Sequence, residues 1–161
     1  MPALISFVRH SYALLIKTAT ALQSPFLLAV RLFWGWQFFQ TGKGKLGDLD
    51  KVTGFFASLN IPLPKANALL AGGTECFGGL LLMLGLASRL TALPLLFTML
   101  VAYATTEREA LAVLFSDPDK VTGATPFLFL FAVLIVLIFG PGKLSADHFL
   151  AKKCAAAPSG K

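Results

Sequence analysis

Charge is scarce in this sequence. Asp, Glu, Lys and Arg make up 14% of its 161 residues, against about 25% in a soluble domain. The hydrophobic share is 56% and mean hydropathy is +0.74. The apolar residues fall in long runs rather than in an alternating pattern, which excludes an ordinary water-soluble globule and indicates one small integral membrane domain.

Cysteine and histidine are nearly absent as well. Cys76 and Cys154 share no Cys-x-x-Cys spacing, so a dithiol exchange mechanism is disfavoured. Neither His10 nor His148 has a second ligand at helical spacing, and the acids are dispersed, so no metal or haem centre is expected. No glycine-rich phosphate loop, nucleophile elbow or dinucleotide fingerprint occurs. The formal charge of +6 belongs to lysines and arginines at the ends of apolar runs. Membrane topology accounts for these better than a nucleic-acid partner does.

What the chain does have is four apolar stretches. Spans are expected near residues 25–42, 66–86, 90–106 and 124–140, each approaching the ~20 residues that cross a ~30 Å hydrocarbon core. The expected fold class is all-α: a four-transmembrane-helix bundle over residues 25–150, preceded by an N-terminal interfacial amphipathic helix over residues 1–24. In that leader Ser6, Arg9, His10, Ala13, Lys17, Thr20 and Ser24 fall on one narrow stripe, opposite Leu4, Phe7, Val8, Leu14, Leu15 and Leu22. Residues 151–161 read as a flexible tail. The connection from Lys43 to Lys65 carries a short amphipathic piece with Val52, Phe55, Phe56 and Leu59 at helical spacing. Lys and Arg outside the spans number seven on the side of the termini and six on the other, while six of the eight acids lie on the other side. Both termini are therefore expected in the cytoplasm.

Glu75 stands alone in the second apolar run. A carboxylate at that depth costs a few kcal/mol unless it is paired or protonated, so it is a candidate functional group. Gly72, Gly78, Gly79 and Leu82 flank it on one face, and small residues there let a second helix approach. The acid should therefore point into the bundle. Arg31, Gly35, Phe38 and Gly42 share a face of the first span, and Thr91, Pro94, Thr98, Ala102 and Thr105 form a polar stripe on the third. Arg31 can stretch toward Glu75 or turn to the cytoplasmic edge. Such a pair is either an interior polar site or a clasp that fixes helix register. Trp34, Gln37 and Gln40 could meet a quinone ring or form part of an interfacial belt, and Lys45 could contact quinone or anchor the span end at lipid phosphates. A solute or proton pathway would need more polar positions along one face than these spans offer.

These residues resemble the DoxX family of small bacterial membrane proteins. The resemblance runs from about Leu28 to Leu150. It rests on Arg31-Leu32 with Gly35, Gly42 and Lys45-Leu46, on Ile61-Pro62-Leu63-Pro64, and on Glu75 with Gly78-Gly79-Leu80-Leu81-Leu82. Gly85-Leu86-Ala87-Ser88-Arg89-Leu90, Met99-Leu100-Val101-Ala102-Tyr103 and Gly140-Pro141-Gly142-Lys143 continue it. Ser88 stands where the family pattern usually has Thr, and Ala146 where it often has Leu. The resemblance implies a four-helix protein of the bacterial inner membrane that associates with redox or oxidative-stress enzyme subunits. It implies Arg31, Glu75 and Arg89 as a polar intramembrane set. Trp34, Gln37, Gln40, Lys45 and Tyr103 are candidate quinone or lipid contacts. Quinone is the one candidate cofactor, the partners are the bilayer, redox subunits and a second copy of the chain, and no catalytic residue is assigned.

Overall fold

The computed structural model describes residues 2–156, with side chains from 5 to 155. Among the described residues every regular element is a helix. α1 (Pro2–Gly47) is followed by α2 (Leu49–Ser58), α3 (Pro64–Leu84) and α4 (Ser88–Thr105). Two short turns of helix, α5 (Arg108–Ala112) and α6 (Pro118–Gly123), lead into α7 (Thr125–Phe139) and α8 (Ala146–Ala156).

The helix boundaries follow from local chemistry. Asp48 opens α2 by accepting from the Lys51 amide, as an N-cap carboxylate should. Pro64 sits in the first turn of α3, where its missing N–H costs nothing. Gly85, at φ +67°, ends that helix, with the Leu86 amide reaching back 3.0 Å to the Leu81 carbonyl; this left-handed ending suits glycine. Ala87 follows at φ +47° and α4 starts at once, so α3 and α4 make a tight hairpin.

α1, α3 and α4 are long and apolar enough to cross a membrane. α7 has 15 residues, about 22 Å of helix, short of a full hydrocarbon core. These four helices surround a core of Phe38, Leu82, Ala92, Leu95, Met99, Val133 and Val136. A satellite cluster of Tyr103, Ala110 and Val121 closes the end where α5 and α6 lie. The amphipathic connection takes shape as α2, which buries none of its residues and rests on α3.

Two boundaries differ from the sequence expectation. The leader and the first span are one continuous helix of 46 residues, about 69 Å long, with Pro25 inside it. Proline at that point removes one backbone hydrogen bond without ending the helix. At the other end, part of the expected tail is helical, because α8 runs to Ala156; residues 157–161 lie outside the described part of the chain.

α1 and α3 are antiparallel and in backbone contact. Gly42 lies against the backbone of Cys76, and Gly79 against that of Gly35 and Phe39. This contact sets which residues of α1 stand level with Glu75.

Candidate functional site

Glu75 faces the bundle interior, 1% exposed, flanked by the buried Gly72, Gly78, Gly79 and Leu82. Its partner is Lys45, whose Nζ lies 2.5 Å from both carboxylate oxygens. Lys45 is the next residue on the face that carries Arg31, Gly35, Phe38 and Gly42, one turn beyond where the first span was expected to stop. Its four-carbon stem lies against Gly72, and its side chain keeps 31% exposure. A compact ammonium on a flexible stem can reach inward this way while its backbone stays at the rim.

Arg31 does not meet Glu75. It packs against Gly85, ten residues from Glu75 along α3, about 15 Å away by helix rise. Its Nη2 donates to the Leu144 carbonyl at 2.5 Å, so it turns to the end of the bundle that carries α8. It is fully buried there. A side chain in place of hydrogen at Gly85 would collide with the guanidinium, and the positive φ at that residue adds strain for any side chain. Arg89 lies at the same end, donating to the carbonyls of Leu137 and Ile138 at 3.2 Å each and so closing the C-terminus of α7. The residues grouped as one polar set therefore occupy two poles, with Glu75 at one and Arg31 and Arg89 at the other.

Asp147, in the first turn of α8, binds the second pole together. Its two carboxylate oxygens accept from the Ala87 amide at 2.6 Å and the Ser88 amide at 2.8 Å, while its own amide donates to Gly85 at 2.9 Å. Burial alone would raise this carboxyl. The Ser88 and Ala87 amides and the charge of Arg31 outweigh it and hold Asp147 below the usual carboxylate range. A group lowered in the fold contributes stability above its ordinary value and loses it as pH falls through the lowered one. Asp147→Asn is expected to cost about 2 kcal/mol at pH 7, the scale of charge-assisted hydrogen bonds. The gap to wild type in detergent unfolding should narrow below about pH 4; a pH-independent gap would mean that the charge contributes nothing.

A cavity of about 620 Å³ opens beside the Lys45–Glu75 pair. Phe55, Phe56, Ile61 and Pro62 form its wall on the α2 side. The polar stripe of α4 supplies Pro94, Thr98, Ala102 and Thr105, and α7 contributes Thr125, Pro126 and Phe129. Of the candidate quinone contacts, Lys45 alone lines it. Trp34 lies one layer back, its ring 5.0 Å from that of Phe129. Gln37 is half-buried and Gln40 exposed on α1, outside the cavity lining. Tyr103 is buried, its hydroxyl donating to the Val121 carbonyl at 2.8 Å, which makes it a tie between α4 and α6. Among the described residues no three His, Cys, Asp or Glu side chains come together as a metal site.

The profile of the DoxX family matches residues 26–108. An uncharacterised membrane protein of Mycobacterium tuberculosis is 31% identical over 144 residues, covering 82% of this chain and 85% of the relative. The chain belongs to the DoxX family. No solved structure matches it. The DoxX match takes in Arg31, Lys45, Glu75 and Arg89 and leaves out the leader and Asp147. Both poles of this DoxX protein thus lie largely in the matched segment, and the α8 latch lies beyond it.

Proposed function

We propose that this DoxX protein is an accessory subunit of a quinone-linked redox or oxidative-stress assembly in the bacterial inner membrane, with both termini cytoplasmic. In this reading the cavity beside Lys45 and Glu75 takes the quinone headgroup. One observation carries it: an ion pair with a buried carboxylate stands on the wall of a ligand-sized, mainly apolar cavity. Small-molecule sites have about this volume and this mixture, apolar walls with a few placed polar groups. The Lys45 ammonium can donate to a ring carbonyl, Thr98 and Thr105 of α4 line the same cavity, and Phe55, Phe56 and Phe129 supply aromatic wall against which a ring can pack. A pair that served helix register alone would need no such space around it.

Binding to the native state must stabilise it, by about 2.7 kcal/mol at a hundredfold excess over Kd. A short-chain quinone is expected to raise the unfolding temperature of the purified protein and to quench Trp34, one ring removed from the cavity wall. Neither change should occur in Lys45→Met/Glu75→Leu, which keeps the volume and loses the pair. Unaltered melting at saturating quinone would end this reading.

The second reading is a scaffold in which the pair is only a clasp. The contact of Lys45 with both carboxylate oxygens favours it, since the pair is complete by itself. Glu75→Gln separates the two readings. Full complementation of a deletion strain by that variant supports the scaffold, and a folded but inactive variant supports the ligand site.

A further inference from the structure

The part of α1 ahead of the bundle has a surface that nothing in the fold explains. Residues 5–23 are exposed throughout, and they include Phe7, Tyr12, Leu14, Leu15 and Leu22. At 100° per residue these side chains spread over an apolar arc about half the wheel wide, and Arg9, His10 and Lys17 gather in a stripe of about 100° within the other half. The bundle's grip on α1 starts at Ser24, whose hydroxyl accepts from the Lys143 amide at 3.3 Å, and at the buried Leu27.

Length decides where this segment can go. The 23 residues from Pro25 to the end of α1 already measure about 34 Å, a full hydrocarbon core. A straight continuation would lift residues 5–24 about 30 Å clear of the bilayer, with the whole apolar arc in water. Pro25 lies at the junction and cannot donate to the Ala21 carbonyl, which makes this turn the easiest place in α1 to bend.

We infer that residues 5–24 are an arm that hinges at Ser24–Pro25 and lies on the leaflet at the α8 end, where it binds a surface of anionic lipid. Charge selects this occupant. The first acidic residue of the chain is Asp48, so the arm carries cations without a compensating carboxylate. Arg89, Lys143, Lys152 and Lys153 place further positive charge at the same end. An amphipathic helix with basic residues on its narrow face and Leu, Phe and Tyr on the broad one binds such surfaces by apolar burial plus attraction to anionic headgroups. The arm is also continuous with a span already in the bilayer, so its broad face needs only to tip over to reach acyl chains.

The test uses the full chain in nanodiscs, with Cys76→Ala and Cys154→Ala so that a single introduced cysteine carries the fluorophore. Leu15→Cys samples the broad face and Ala13→Cys the narrow stripe; both positions are exposed, so neither label disturbs the core. With spin-labelled acyl chains as quenchers, position 15 is expected to be quenched severalfold more than position 13. Adding phosphatidylglycerol should widen the contrast, and Arg9→Gln with Lys17→Gln should reduce it. Equal quenching at the two positions overturns the inference. So does disulfide formation between copies through Leu15→Cys without lipid quenching, which would make a second chain the occupant.

Discussion

Lys45→Met is expected to destabilise the protein by about 3 kcal/mol, the lower end of the cost of stripping one partner from a buried ion pair. The lower end applies because Lys45 keeps 31% exposure while Glu75 has 1%, so water can still screen one side of the pair. The loss comes less from the missing attraction than from the carboxylate left behind among Gly72, Gly78 and Leu82 without a donor. Removing both charges should therefore recover most of it. Lys45→Met/Glu75→Leu is expected within about 1 kcal/mol of wild type, since replacing a whole buried pair by apolar side chains is often neutral. The double-mutant cycle, read from unfolding in mixed detergent micelles, then gives a coupling of about 3 kcal/mol. The corresponding cycle with Arg31→Met should be additive with Glu75→Leu, because Arg31 packs at Gly85 and not at Glu75. Additivity in the Lys45 cycle, or strong coupling in the Arg31 cycle, would move Glu75's partner back to the arginine.

The same geometry explains how far the site was legible in the sequence. That Glu75 faces inward could be read from the glycines at its i±3 and i+4 positions, because a helix face without side chains is a face another helix can touch. The face of α1 was equally legible as Arg31, Gly35, Phe38 and Gly42. Its partner was not found because hydropathy ended the first span at Gly42, which left Lys45 looking like an anchor for headgroups. Continuing the same 4–3–4 alternation by one step of three lands on Lys45, so the periodic signal was present and the hydropathy boundary concealed it. The register of α1 on α3 was beyond reach, since it depends on which glycine meets which. Of the two courses open to Arg31 in the sequence, toward Glu75 or toward the span end, the antiparallel contact allows the second, at Gly85. The Asp147 latch carries no local signal: its partners, Ala87 and Ser88, lie about sixty positions away in the chain and are bound through their backbone amides. The cavity was half visible, as a polar stripe on α4. Its remaining wall needs α2 folded back over α3, which no periodicity within one helix predicts.

Gly42→Ala and Gly79→Ala are each expected to lose about 3 kcal/mol, at or above the usual ceiling for overpacking, because the added methyl meets main chain on both sides. At Gly42 it would overlap the Cys76 backbone and come within 2.7 Å of the Gly72 carbonyl oxygen; at Gly79 it would sit 2.5 Å from the Gly35 oxygen and 2.6 Å from the Phe39 nitrogen. Carbon contacts want roughly 3.5–4 Å, and a helix backbone cannot rotate aside as a side chain can, so α1 and α3 must part by about 1 Å. Gly73→Ala on the same α3 is the control. Nothing lies within 4 Å of its added methyl, and alanine's better helix propensity should leave that variant unchanged or more stable by about 0.5 kcal/mol. Separation of the helices also stretches the link between Lys45 on α1 and Glu75 on α3, so Gly42→Ala should weaken that coupling in a cycle with Lys45→Met. Unfolding in mixed micelles measures all three variants. If the first two fall within about 0.5 kcal/mol of wild type, the scatter of a silent surface change, the backbones of α1 and α3 do not touch. The ion pair would then be positioned by something other than glycine-mediated contact.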